Sequence, residues 1–472
     1  MTMKTLMALW LSLVAASLTA AQTNFPPPRS VGDPATLGRN IQRTMTLLAT
    51  STPEKRNTVK VLFYGQSITE QEWARTVAED LRRRFPNANL IIENRAIGGH
   101  SSQLLVRTAE ADLYPFYPDL MIFYVYGSHI EYDNIIRRTR ERTTAEILLQ
   151  TDHATKDSDL TEETDPAKLS SKQWNGWMNY SFLPSTASKY GCGVVDQHNL
   201  WKQYLKDYGL PAAQLLKDGV HLNAHGNYLM AEFVKAQLVA RPDTKLDPMD
   251  CETVRTIPVG AGIAWRDGKL RFDFEGNRVD ALCRPGTAAP ASVHLDGRKP
   301  SEIPELYGFK RVAAFPGSSW PCLLRVSSEK PSWIEDWTLT ITEASADLKA
   351  CQFTLTGSKT GPDGAGTSEA RFVSKSGRVV LDPEDWNLNY CFKVFKRTLP
   401  PNYQIKWQTV FHFADEFTSP GIMEPAIETT VTLAQGLSNG KHTLEIQGDA
   451  TVPIAALRVY RPPGGLASSS PK

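Results

Sequence analysis

The stretch Val59-Lys60-Val61-Leu62-Phe63-Tyr64-Gly65-Gln66-Ser67-Ile68-Thr69 decides the fold. Its first six residues, rich in β-branched and aromatic side chains, read as a buried strand, and Gly65 marks the end of it. Trp73, Val77, Leu81 and Phe85 then recur at helical spacing, which predicts a helix over residues 68–85. A strand that turns at once into a helix is the opening unit of an α/β sheet. Working outward, further strands are expected at residues 90–93, 120–126, 146–150 and 192–196, and helices at 200–208 and 224–239. Such continuous apolar runs suit a parallel sheet covered on both faces. Upstream, Ile41, Met45 and Leu48 predict one more helix that packs on this domain.

Beyond residues 241–258, a Pro-containing stretch read as a linker, the pattern changes. Short alternating strands are expected at 270–274, 337–341, 351–355, 404–413, 429–433 and 442–446, with turn signals at Asp296-Gly297, Gly361-Pro362-Asp363-Gly364 and Ser438-Asn439-Gly440. No helix is expected here. Residues 259–463 therefore read as an all-β accessory region, either one large sandwich or two small ones, and 464–472 as a tail.

The chain has 472 residues, enough for two or three domains. Its 52 Lys plus Arg nearly cancel 51 Asp plus Glu, so no basic surplus exists to hold a nucleic-acid backbone. At the N-terminus, Lys4, the apolar run 6–18 and the small residues Thr19, Ala20 and Ala21 read as a cleavable signal peptide over residues 1–21, followed by an extension over 22–58. That run is too short to span a bilayer, and no later stretch reads as a membrane helix. A secreted or periplasmic protein is expected. Six cysteines in an oxidising compartment make disulfides plausible, and proximity in sequence pairs Cys283 with Cys322 and Cys351 with Cys391.

Ser67 falls where open α/β sheets hold ligands, beyond the carboxyl end of a strand and before a helix. A helix cap explains a lone serine equally well. Asp218-Gly219-Val220-His221 stands just before the last helix of the same domain. Serine catalysis needs a base for the hydroxyl proton and a carboxylate to orient the imidazole, and residues three apart supply both from one turn. The loop after the second strand, Asn94-Arg95-Ala96-Ile97-Gly98-Gly99-His100-Ser101, offers glycine amides that can approach an oxyanion. His100, His129, His153 and Asp152 lie near strand ends, but no HExxH or CxxC spacing supports a metal. Trp174, Trp177 and Tyr180, in a long insertion over 151–190, suit either an aromatic wall for a sugar or core packing. Six tryptophans of the β-rich half, Trp265, Trp320, Trp333, Trp337, Trp386 and Trp407, divide between the same two uses.

Taken in order, Gly65-Gln66-Ser67-Ile68-Thr69, the block 94–101, Gly127-Ser128-His129 and Asp218-Gly219-Val220-His221-Leu222 resemble the successive blocks of SGNH hydrolases, the GDSL-type esterases. The likeness covers residues 59–240. It implies a flavodoxin-like three-layer α/β/α sandwich followed by the all-β region. It also implies Ser67 as nucleophile, His221 as general base, Asp218 as its orienter, and oxyanion donors from the N–H groups of Ser67 and Gly99. The sequence departs from the family at Gln66, where Asp is usual, at Ala96, where Gly is common, and at His129, where an Asn amide donates to the oxyanion. A neutral imidazole offers one N–H at that place. Gln66, His100, Trp174 and Trp177 are further candidates to contact substrate. The resemblance implies a cofactor-free esterase acting on an acylated, chiefly O-acetylated, polysaccharide or glycan. The alternatives are an acyltransferase, a lipid or aryl esterase using the same site, or a non-catalytic glycan-binding protein.

Overall fold

Residues 25–464 are described by a computed structural model of the chain; residues 1–21, read above as a signal peptide, and nearly all of the tail lie outside them. The chain opens with α1 (Gln42–Ala49), then β1 (Thr58–Gly65), α2 (Glu72–Arg84), β2 (Asn89–Asn94), α3 (Ser102–Asp112), β3 (Leu120–Tyr124), α4 (His129–Arg142) and β4 (Glu146–Gln150). The insertion that follows carries the short α5 (Trp174–Trp177) and α6 (Leu183–Tyr190), before β5 (Gly193–Val195), α7 (Gln197–Tyr208) and α8 (Ala224–Gln237). The five strands pair in parallel in the order β2-β1-β3-β4-β5. This is the flavodoxin-like order, and its switch point falls between β1 and β3.

Alternate residues of one strand feed opposite cores. Val61 and Phe63 of β1, with Ile122 and Tyr124 of β3, pack under α1, α2, α7 and α8. Leu62 and Tyr64, with Met121 and Phe123, pack under α3, α4 and α6. β3 is buried along its whole length, as a central strand must be. On α2, Trp73, Val77 and Leu81 are fully buried, and Arg82, Arg83 and Arg84 close its last turn against the negative end of the helix dipole. The helix starts at Glu72, four residues later than the periodicity predicts. Residues 66–70 instead form a turn, in which the N–H groups of Thr69 and Glu70 both reach back to the Gln66 carbonyl.

The remaining strands run antiparallel. They are β6 (Val254–Pro258), β7 (Trp265–Arg266), β8 (Lys269–Cys283), β9 (Ala291–Leu295), β10 (Tyr307–Phe309), β11 (Val312–Ala313), β12 (Pro321–Leu323), β13 (Asp336–Ala344), β14 (Cys351–Gly357), β15 (Gly361–Thr367), β16 (Phe372–Val373) and β17 (Val380–Leu381). After α9 (Leu388–Val394) come β18 (Gln404–Phe411), β19 (Glu416–Phe417), β20 (Thr430–Gln447) and β21 (Ile454–Tyr460). One sheet runs β19-β9-β20-β8-β21-β6 and the other β10-β18-β13-β14-β15, each over its own apolar core. The second is built wholly from chain that lies between β9 and β19, so one β module is inserted into the other. Its entry and exit strands are neighbours, with Tyr307 paired to Phe411.

Five expectations for this half change, the first being the turn read at Gly361-Pro362-Asp363-Gly364: these residues open β15, and the chain reverses just before them, at 358–360. The end of the stretch read as a linker is β6, an edge strand of the host sheet. A helix, α9, is present, burying Leu388, Cys391 and Phe392. Ser438-Asn439-Gly440 is no chain reversal: β20 continues along β8 past a register break between Gln435 and Gly440. β8 is long enough to hold its partner on both sides of the bulge. Finally, all six cysteines are free thiols, and Cys322 is set beside Cys391 rather than beside Cys283, while Cys351 lies on a different strand. The Asp296-Gly297 turn forms as expected, with both residues at positive φ.

Candidate active site

The site forms where the loops after β1, β2 and β3 meet the segment before α8. Gly65 is demanded by close packing, since a Cβ there would lie 2.1 Å from the Tyr124 carbonyl and 2.4 Å from Thr69 Oγ1. The turn it opens is held from two sides. Asn94 Nδ2 donates to the Thr69 carbonyl at 2.7 Å, and Trp73 Nε1 donates to the Ile68 carbonyl at 2.6 Å. Ser67 stands half-buried at the tip.

Ser67 Oγ is 2.9 Å from His221 Nε2, and His221 Nδ1 is 2.9 Å from Asp218 Oδ2. Asp218 Oδ1 also accepts the backbone N–H groups of His221 at 2.7 Å and Val220 at 2.9 Å. These two amides, with the His221 ring as a further donor, hold the Asp218 carboxyl down at about 2. It is ionised throughout the range in which an imidazole works, and its oxygen fixes the tautomer with Nδ1 protonated and Nε2 facing Ser67.

The loop that carries Asp218 and His221 is itself anchored. Gln71 exchanges both its amide groups with Leu222, donating to its carbonyl and accepting its N–H, each at 3.1 Å. His153 Nε2 donates to the Val220 carbonyl at 2.8 Å while its Nδ1 accepts from Tyr124 Oη at 2.9 Å. Burial pushes the His153 ring down to about 4, which keeps it neutral and able to play both roles. Asn223 caps α8, its side chain accepting the Gly226 N–H at 3.1 Å.

Gly98 and Gly99 close the other side. A Cβ on Gly98 would stand 3.6 Å from Ser67 Cβ, so the loop touches the serine. The Gly98 N–H is taken by Glu70 Oε1 at 2.9 Å. Among the described residues, the N–H groups of Ser67 and Gly99 donate to nothing. Two free amides beside a serine hydroxyl are what a developing oxyanion requires.

His129 makes no hydrogen bond to this group among the described residues. It is the first residue of α4, and its ring faces Trp174, Trp177 and Phe182 at centroid distances of 5.5, 5.1 and 5.5 Å, with no hydrogen bond among the described residues. Trp174 is 42% exposed, so this cluster presents one open aromatic face. Beside it, Gln103 of α3 accepts the Ser128 N–H at 3.1 Å through Oε1, which ties the start of α4 to α3. Gln66 is buried with Nε2 unpartnered. His100 is fully buried and, desolvated, pushed down to about 4; its ring meets Trp320 edge-on at 4.8 Å. His100, His129, His153 and Asp152 do not converge, and among the described residues no three His, Cys, Asp or Glu side chains form a metal-binding group. Of the six tryptophans, Trp337 and Trp407 are core, and exposed Trp333 lies under the Arg378 guanidinium.

Sequence reasoning did not find Gln71, the bracing role of His153, or Tyr390, whose hydroxyl donates to the Gly99 carbonyl at 2.9 Å. Gln71 had a signal in its place four residues after Ser67. Tyr390 had none, being 291 positions away from its partner.

Among the described residues no helix is long and apolar enough to cross a membrane. No family model and no curated protein matches the chain. Among solved structures it is similar to a GDSL-like lipase from Parabacteroides merdae, at 19% identity and TM-score 0.32 over 39% of this chain and 98% of that one. The acetylxylan esterase Axe2 from Geobacillus stearothermophilus gives 18% identity and TM-score 0.34 over 40% of this chain and 100% of that one. A two-domain esterase active on acetylated mannans gives 13% identity and TM-score 0.33, and covers 89% of this chain and 95% of that one.

Proposed function

We propose that the protein is a serine esterase of SGNH type that acts outside the cytoplasm and removes acyl groups, chiefly O-acetyl, from a polysaccharide or glycan. The observation that carries this reading is the continuous relay from Asp218 through His221 to Ser67 Oγ, with the two free N–H groups of Ser67 and Gly99 beside it. Ser67 Oγ attacks the ester carbonyl while His221 Nε2 takes its proton. Asp218 stabilises the imidazolium that forms, and the two amides hold the oxyanion. Collapse of the tetrahedral intermediate expels the alcohol, which takes the proton back from His221 and leaves Ser67 acylated. A water deprotonated by His221 then attacks the acyl group and releases the carboxylic acid.

No step needs a metal or a redox group. We assign His129 to the wall of the cleft with Trp174 and Trp177 rather than to the oxyanion hole, because its surroundings are aromatic rings. Aromatic faces stack on sugar rings, which supports a glycan as the alcohol portion. Export rests on the N-terminal sequence.

The test is acetate release from acetylated polysaccharides and from 4-nitrophenyl acetate by the mature protein. Release by the wild type, lowered about 10⁶-fold in Ser67→Ala or His221→Ala, is expected. A wild type that releases nothing from any ester, and whose Ser67 is not labelled by a fluorophosphonate, sinks the reading.

A further inference from the structure

The loop that supplies the Gly99 amide is covered by the inserted β module. A Cβ on Gly99 would lie 3.0 Å from the Trp320 ring and 3.1 Å from Tyr390 Oη. Tyr390 Oη donates to the Gly99 carbonyl at 2.9 Å, and Trp320 meets the His100 ring edge-on at 4.8 Å. The two aromatic rings touch each other, 5.1 Å apart, and so act as one surface. Three bonds hold that surface rigid: Asn387 Nδ2 and Cys391 Sγ both donate to the Pro321 carbonyl at 3.0 Å, and the Asn387 N–H donates to the Cys322 carbonyl at 2.7 Å. The same module grips the ends of the segment. Arg311 donates to the Arg95 carbonyl and to Asp112 Oδ1, each at 2.9 Å, and Arg107 donates to Asp385 Oδ1 at 2.8 Å.

Gly98-Gly99 is the most pliable pair that a chain can place beside a nucleophile, because neither residue has a Cβ to restrict it. An oxyanion donor is useful only if it is already aimed when charge develops. The peptide groups around the pair are pinned one by one. Glu70 takes the Gly98 N–H, Ile97 takes the His100 N–H at 3.1 Å, and Tyr390 takes the Gly99 carbonyl. Among the described residues the Gly99 N–H donates to nothing. Of these restraints, only the one on the carbonyl comes from outside the α/β domain.

We propose that Tyr390 and Trp320 are positioning residues of the esterase, holding the Gly98-Gly99-His100 turn so that the Gly99 N–H stays directed at the acyl oxygen. This rests on the esterase reading. Neither residue touches a reacting atom; each acts through the loop. The inserted module is thereby part of the catalytic apparatus, whatever polymer it also contacts.

The experiment compares full-length wild type with Tyr390→Phe, Trp320→Ala and Trp320→Phe on 4-nitrophenyl acetate. Loss of one hydrogen bond to the loop is expected to lower kcat about 5- to 10-fold in Tyr390→Phe, with KM within about twofold. Trp320→Ala loses more, approaching the 10²-fold of a missing oxyanion donor, and Trp320→Phe recovers most of it. Affinity for a phenylboronic acid, which forms a tetrahedral adduct on Ser67, falls in parallel. Amide exchange over residues 94–101 quickens. If Trp320→Ala does not fold, Tyr390→Phe, which removes one hydroxyl, carries the test. An active wild type whose variants keep kcat, or lose only KM, overturns the positioning role and leaves the esterase intact. A wild type that neither turns over ester nor takes up a fluorophosphonate overturns both.

Discussion

Asp218 sits in the open yet keeps its charge because two backbone amides and the His221 ring all donate to it. Asp218→Asn keeps the shape but reverses the donor at Nδ1, so His221 loses the tautomer that faces Ser67 with a lone pair. A fall in kcat of about 10⁴ with little change in KM is expected in steady-state assays. His153 works one layer behind. Its ordinary value of 6.5 describes the unfolded chain, and burial holds the folded ring at about 4. Between those values the unfolded state binds the proton and the folded state does not. The penalty is therefore absent above pH 6.5 and grows as pH falls toward 4, at about 1.4 kcal/mol per pH unit. His153→Gln can still donate to the Val220 carbonyl and has no such proton. Urea unfolding of the two proteins between pH 7 and 4.5 should show wild type losing stability relative to the variant with that slope.

At the scale of elements, α9 and β12 bring two thiols together. Cys322 and Cys391 are both fully buried, and the contact between them pushes the Cys322 thiol well above its ordinary range. Mild oxidation of the folded protein with diamide, followed by non-reducing peptide mapping, should join Cys322 to Cys391 before any other pair. A Cys322–Cys351 or Cys283–Cys322 link appearing first would contradict this arrangement. Elements also differ in how far they can be read from sequence. β1 with the turn after it was legible because strand, Gly65 and Ser67 are consecutive, and Asp218 with His221 because one turn of chain holds both. The alternation of β14, where Cys351, Phe353 and Leu355 point inward, was equally plain. The pairing of β20 with β8 was not: Ser438-Asn439-Gly440 has the composition of a turn, and only the presence of a long partner makes it a bulge. α9 is short, and its helix carries Tyr, Cys, Phe and Val, which local propensity does not favour, so packing on the apolar core of the inserted module decides it. The aromatic surroundings of His129 were not legible, because a block of sequence gives position at a strand end, whereas the rings around it come from the insertion that supplies Trp174, Trp177 and Phe182.

The whole molecule is held together by polar ties at the junction of its modules. Arg311 reaches Asp112, whose side chain is 4% exposed, and burial pushes the Asp112 carboxyl up while Arg311 opposes it. Removing the cation leaves a buried carboxylate uncompensated, so Arg311→Ala is expected to cost about 3 kcal/mol in denaturant unfolding, with Arg311→Lys intermediate. A loss below about 1 kcal/mol would mean the pair is solvated. The nesting of one β module inside the other has a consequence in time. As the chain is made from its N-terminus, β8 exists long before its two long partners, β20 and β21, for Cys283 pairs with Ile454 and Leu282 with Thr430. The inserted module completes first, closing when Phe411 meets Tyr307. During synthesis the host sheet is thus the last body to form and the one that most needs protection from premature association, while the loop beside Ser67 receives its brace from a module already finished.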